Sequence, residues 1–321
     1  MRKRIIRELF LFAIAIITVA SVNIIWRQTV EKEQNEAIQG KIEEMNTTDE
    51  ESEIDTSNNA EEQTQKESDI SLIDAEGTTI GSRIKVPKGF KRTAEDEGSL
   101  GQFLRCYPLM PDGSPVLLYD GRKKGTSSAV CVFDMHLGDK DLQQCADSVI
   151  RMYAEYMRAS GKEDQIAFHF VSGFLCDWLN YKSGKRILVN GNNVSWTNGG
   201  SASDSDEAFE GYLETVFNYA STLSLEQESK SIDLSDIKIG DIFIKGGSPG
   251  HVVMVVDTCV RDGKKAFLLA QGYMPAQQFH VLKNNLHGED PWYYEDEVTY
   301  PFRTPEFTFG EGSLMRPEYL N

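Results

Sequence analysis

Cys145 in "QQCADSV" and His251 in "GDIFIKGGSPGHVVMVVD" are the two residues whose types and settings suit nucleophilic acyl chemistry. A thiol attacks a carbonyl well only when a base takes its proton, and an imidazole is the side chain best matched to that task near neutral pH. Cys145 is expected about one turn inside a helix, where the positive end of the helix dipole lowers a thiol's pKa. His251 follows a Gly-containing turn and opens a strand whose next residues, Val252 to Val256, are apolar on both faces. A ring at the mouth of a buried strand is held rigidly with one edge open. Taken singly, a cysteine most often only packs and a strand-end histidine most often only hydrogen-bonds. The ordered pair is what points to catalysis.

Both residues need rigid supports. In "DKDLQQCADSVIRMYAEYMRAS", Leu142, Ala146, Val149, Ile150, Tyr153 and Met157 recur at spacings of three and four, which predicts a helix with one core-facing stripe. Asp141 and Gln144 are spaced as a capping box, and Gly161 is a stop signal. "SDSDEAFEGYLETVFNYASTLSL" predicts a second helix. Strands are expected in "RIKVP", "PVLLYDG", "SSAVCVFDMHLG", "IAFHFVSGFLCDWLNY" and "GKRILVNGNNVSWTNGG", then in "DIFI", "HVVMVV", "AFLLAQ" and "FHVLK". The aromatic, Pro-containing tail after "DPWYYEDE" is expected to wrap over the sheet. Helix first and strands later reads as an α+β fold over residues 78–321, a single domain without repeats.

The rest of the chain says where such a domain would work. Leu9 to Trp26 is an 18-residue apolar run behind Arg2, Lys3, Arg4 and Arg7. At about 1.5 Å per residue it nearly spans a bilayer core, and the basic flank predicts that the chain after it lies outside. Residues 1–30 are therefore expected to be a membrane anchor, the alternative being a signal peptide cleaved near Val22 and a secreted domain. Residues 31–77 are expected to be a disordered acidic tether: 31–76 hold sixteen Asp/Glu against three Lys and no aromatic residue. Of the total charge of −17, the first 30 residues carry +4 and residues 31–76 carry −13, which leaves −8 on the remainder. That balance argues against a nucleic-acid partner, which needs clustered Lys/Arg. Five cysteines outside the cytoplasm leave at least one unpaired within the chain, and Cys106 with Cys131 is a candidate disulfide. Asp134 and His136 alone do not make a metal site, so no metal or cofactor is expected.

"QQCADSV" at a helix start, followed far downstream by "GDIFI…GHVVMVVD", resembles the paired motifs of papain-like amidohydrolases, above all the CHAP and NlpC-type cell-wall hydrolases. The resemblance implies a papain-like core, a capped helix packed on an antiparallel sheet with insertions. It implies Cys145 as nucleophile, His251 as general base, Gln271 in "FLLAQGYMP" as the group orienting the imidazole, and Gln144 as a possible oxyanion donor. Rivals are Cys176 for the nucleophile, and His280 or Asn284 for the orienting group. The implied reaction is hydrolysis of an amide in a cell-envelope polymer or peptide. The spacing of 106 residues between Cys145 and His251 is longer than those families usually show and requires an insertion. Over residues 80–315, "LQQCADSVIRMYAEY", "GSPGHVVMVVD", "LLAQGYMPAQQFHVLKN" and "TPEFTF" resemble a bacterial domain-of-unknown-function family, number 4846. The aromatics of "VNGNNVSWTNGG" and "DPWYYEDE" support a different class of function, a non-catalytic module that binds glycan or peptide by stacking.

The hairpin "VVMVVDTCVRDGKKAFLLAQ" tests the role of Gln271. A two-residue loop at Asp262-Gly263 pairs Arg261 with Lys264 and, carried through, puts Gln271 on the sheet face opposite His251. A three-residue loop Arg261-Asp262-Gly263 puts both on one face as diagonal neighbours. The catalytic reading predicts the three-residue loop or another of the same parity.

Overall fold

The apolar run behind His251 becomes the middle strand of the molecule. The computed structural model describes residues 71–126, 128–191 and 193–320. The expected anchor and the tether up to residue 70 lie outside the described residues. Residues 71–77, grouped with the tether by composition, are part of the fold: Ile73 bridges Ile84, and the buried Arg83 guanidinium donates to Gly77 O at 2.6 Å.

Nine strands make one sheet, and every pairing in it is antiparallel. They are β1 (Lys91–Arg92), β2 (Ala129–Val132), β3 (Ser229–Ser231), β4 (Ile242–Lys245), β5 (His251–Arg261), β6 (Lys264–Gln271), β7 (His280–Leu282), β8 (Tyr293–Tyr294) and β9 (Leu314–Pro317). The order across the sheet is β2-β7-β6-β5-β4-β9-β3, with β1 added to the outer end of β5 and β8 to the outer part of β6. The described residues also form the helices α1 (Ile80–Arg83), α2 (Leu100–Cys106), α3 (Cys145–Ala159), α4 (Trp178–Lys182), α5 (Asp206–Tyr219) and α6 (Thr222–Gln227). The fold is α+β.

Sequence accounts for most of these elements. In α3 the stripe Ala146, Val149, Ile150, Tyr153 and Met157 is buried against the sheet, and Tyr153 donates its hydroxyl to Gly240 O at 2.8 Å. The expected second helix breaks at Ala220, because Ser221 accepts from Leu223 N and starts α6 afresh. "WLNYK" belongs to α4 rather than to a strand: Asp177 caps it by accepting from Asn180 N at 2.8 Å. "RIKVP" and "PVLLYDG" contribute only isolated bridges, at Ile84, Leu117 and Leu118.

The sheet has two covered faces. Val252, Met254 and Val256 of β5 join Leu268 and Ala270 of β6 in a core completed by α3 and α5. Val253, Val255, Phe267 and Leu269 point the other way, onto Phe302, Phe309 and Leu314 of the C-terminal tail. Each such side chain, removed fully from water, stabilises the fold by roughly 1.5–3 kcal/mol for the larger aliphatic and aromatic residues.

The β5–β6 hairpin corrects the loop expectation. Arg261 pairs with Lys264, so the loop is the two-residue Asp262-Gly263, with φ of 51° and 79°. Positive φ at both positions is the I′ geometry that Asp-Gly favours and that matches strand twist. The parity changes further along. Leu268 faces Asp257 but Leu269 faces Val255, so Val256 is an extra residue in a β-bulge. Beyond it Ala270 faces Met254, and Gln271 emerges on the same side as His251. The expected face is reached, through a bulge in the strand instead of a bulge in the loop.

Candidate active site

Cys145 is the first residue of α3, closer to the helix start than the periodicity suggested. Asp141 does not begin the helix. Its Oδ1 accepts from Ala276 N at 2.7 Å and from Gln144 Nε2 at 3.1 Å, which fastens the lead-in segment to the loop after β6. Gln143 extends this anchoring by donating to His136 O at 3.0 Å and accepting from the buried Arg151. Gly272 lets the end of β6 approach, since a Cβ there would meet Ser148 Oγ at 2.3 Å and Gln144 O at 2.9 Å.

The thiol differs from expectation. Burial pushes Cys145 up to about 12, and the Asp147 carboxylate adds to the rise. The backbone N–H groups of Ala146, Val252 and Cys145 itself pull the other way without winning. Desolvation thus outweighs the helix terminus. The Val252 N–H among them belongs to the residue after His251, at the entrance of β5.

His251 is buried, with Tyr273, Phe307 and Phe309 rings at 4.9, 5.0 and 6.1 Å. Its Nε2–H donates to Gln271 Oε1 at 2.7 Å. Burial lowers the imidazole to about 4, against the raising effect of that bond. The ring is therefore neutral at pH 7. Among the described residues no hydrogen bond joins Cys145 to His251: the ring packs with the Phe309 side of the sheet and the thiol with the α3 side. The structure brings His251 and Gln271 into contact, sets Cys145 against the backbone next to them, and turns the Gln144 amide towards Asp141, outside this cluster.

Sequence reasoning missed three residues. Glu306 accepts from Gln271 Nε2 at 2.8 Å, from Ser128 Oγ at 2.6 Å and from Lys124 Nζ at 2.5 and 2.6 Å. Burial would raise this carboxyl, but the bonds from Lys124 and Ser128 hold it below its ordinary value. The available signal was a single charged residue between the aromatics and threonines of "TPEFTF". The rivals fall elsewhere. Asn284 donates to Trp292 O, and Cys176 is buried beneath Tyr212. His280 faces Gln271 across the β6–β7 pairing, and its side chain meets the network at a 3.5 Å contact with Ser128. All five cysteines are free, so Cys106 and Cys131 are not bridged. Among the described residues no group of His, Cys, Asp and Glu could hold a metal, and no helix is long and apolar enough to cross a membrane. Trp292 and Tyr293 are core residues, and Trp196 is half-buried against Phe174, which removes much of the stacking surface expected of a binding module. A cleft of about 550 Å³ runs along the lead-in to α3, lined by Leu117, Met135, Leu142 and Phe217, beside the pair and not over it.

Asp147, in the first turn of α3, makes a pH prediction. Its Oδ2 accepts from Gln144 N at 3.0 Å, its Oδ1 has no partner, and burial pushes it from 3.8 up to about 8. A carboxyl raised on folding binds its proton more tightly in the folded state, so stability falls as pH rises between about 4 and about 8. In Asp147→Asn, which keeps the acceptor, urea midpoints measured across that window should lose this component. A wild-type and variant difference that does not change with pH would contradict it.

No curated protein and no solved structure matches the chain. Residues 80–316, nearly all of the described fold, match the family described as domain of unknown function (4846), and the chain belongs to that family.

Proposed function

We propose that this domain is a cysteine amidohydrolase with a papain-like Cys/His arrangement, held outside the membrane by residues 1–30 and acting on an amide of a cell-envelope polymer or peptide. The observation that carries the reading is the committed imidazole. Gln271 takes the Nε2–H of His251, which leaves the Nδ1 lone pair as the base at the entrance of β5, next to the Val252 N–H that lowers the Cys145 thiol. In the reacting complex the Cys145 side chain turns past the end of β5 to the ring, Nδ1 takes the thiol proton as sulfur attacks the carbonyl carbon, and the new imidazolium returns it to the departing amine as the C–N bond breaks. Water then cleaves the thioester, releasing the acid and restoring the thiol. The Ala146 and Val252 N–H groups stabilise sulfur as it gains charge. Pair and substrate start neutral, so the thiolate forms only during attack. The resemblance of the two motifs to CHAP and NlpC-type hydrolases supports the substrate class, and the acidic folded part is consistent with a target other than nucleic acid.

A peptidyl chloromethyl ketone, which presents an electrophilic carbon beside a carbonyl, tests this directly. Mass spectrometry should find it on Cys145 first, although Cys106 is the exposed thiol, and Cys145→Ala should abolish both that adduct and amine release from envelope peptides. Labelling of Cys106 alone, or amine release undiminished in Cys145→Ala, would overturn the proposal.

A further inference from the structure

We infer that Glu306 is a positioning residue that decides which nitrogen of His251 carries the proton. The inference uses the proposed function only for its consequence, since the tautomer exists whether or not Cys145 is a nucleophile. A glutamine amide has two ends of nearly equal shape, a carbonyl that only accepts and an NH₂ that only donates. Nothing in Gln271 itself selects the end that faces His251. Glu306 does. Its carboxylate only accepts, and it lies 2.8 Å from one end of the amide, so that end is the NH₂. The carbonyl is then the end 2.7 Å from the imidazole, and Nε2 must carry the hydrogen. Gln271 is fully buried, so neither end of the amide reaches bulk water for an alternative partner.

The carboxylate is itself fixed in the accepting state by Ser128 Oγ on Oε1 and by Lys124 Nζ, which bridges Oε1 and Oε2. Donors therefore converge on Glu306 of the C-terminal tail, Lys124 and Ser128 from the loop before β2 on one branch and Gln271 of β6, which itself accepts from His251 of β5, on the other. Each member has one choice left once its neighbour has chosen. His280, next to Ser128, is set in the opposite sense: its Nδ1–H donates to Gln278 O at 2.9 Å. The site thus holds two neutral histidines as opposite tautomers, and only His251 offers Nδ1 as a base.

Nitrogen-15 NMR of ring-labelled protein at neutral pH reads the tautomer of each histidine separately. The wild type should show a protonated Nε2 and a bare Nδ1 at His251, and the reverse at His280. In Glu306→Gln the new amide can donate as well as accept, Gln271 is free to turn over, and the His251 signals should shift towards the Nδ1–H form. The exchanged double variant Gln271→Glu with Glu306→Gln puts a carboxylate back against the ring and should restore Nε2–H. A wild-type His251 protonated at Nδ1 would overturn the inference, as would a folded Glu306→Gln that keeps Nε2–H. If that single variant does not fold, the wild-type spectrum and the double variant still decide. Correct tautomers with no labelling of Cys145 would sink the hydrolase and leave the lock standing. The converse result would do the opposite.

Discussion

His251→Ala is expected to slow covalent capture of Cys145 by about 10²–10⁴-fold, the usual contribution of a positioned general base. The size of the effect follows from the thiol. Burial holds Cys145 near 12, so almost none is thiolate at neutral pH, and sulfur cannot attack without a base to take its proton. The pH profile is the sharper test. Burial lowers His251 to about 4, so its base form is present throughout the neutral range and is lost only as pH falls through about 4. The rate of inactivation by a chloromethyl ketone should therefore be flat from about pH 5.5 to 7.5 in the wild type. A limb near pH 6.5, the ordinary value for a histidine, would mean that the ring is solvated when it reacts. Unfolding controls are needed, because truncation strands the Gln271 carbonyl at a cost of about 1–3 kcal/mol.

The largest loss of stability is expected from Asp257→Ala. Asp257 follows the bulged Val256 and is fully buried, with Arg92 Nε on Oδ2 and Arg105 Nε on Oδ1, each at 2.7 Å. The two guanidiniums come from β1 and from α2, so one carboxylate ties three elements of distant sequence together. Arg105 is only 13% exposed and also donates to Thr93 O and Thr258 O. Removing the acid leaves two positive groups facing each other, Arg92 a quarter exposed and Arg105 13% exposed. Breaking such a pair by deleting one partner costs on the order of 3–5 kcal/mol. Urea unfolding should show that loss, or no folded protein. A change below about 1 kcal/mol would mean that Arg92 and Arg105 find other partners.

The parts of the fold legible in the sequence were those written in periodicity. The stripe from Ala146 to Met157 marked α3, and the unbroken apolar run after His251 marked the central strand. The ends of elements were less legible, because capping depends on partners that sequence spacing does not reveal: Asp141 has the spacing of a cap, yet its carboxylate serves Ala276 N instead. The His251–Gln271 contact was expected on one face and is there, but by way of Val256, and nothing in "HVVMVVDTCVR" distinguishes the bulged valine from its neighbours. Glu306, Lys124 and Ser128 lie 35 to 182 residues from the partners they bind, and only folding brings them together. Nor does sequence carry the solvation that decides a thiol's acidity. The helix terminus predicted a lowered Cys145, and burial reversed it.

The bulge at Val256 also divides the hairpin into two segments with different rules for change. From His251 to Val256 the even-numbered residues of β5 face α3, whereas beyond the bulge Cys259 takes that role, and β6 keeps one alternation from Ala266 to Ala270. A single extra residue thus acts as a phase shifter between the turn and the polar end of the hairpin. Gain or loss of a residue at the tip would normally reverse every inward-facing side chain down to Gln271. Here such a change can be absorbed by creating or erasing the bulge, which leaves the four residues nearest His251 in register. The tip is thereby uncoupled from the imidazole, and its length becomes a property the chain can vary without moving the ring.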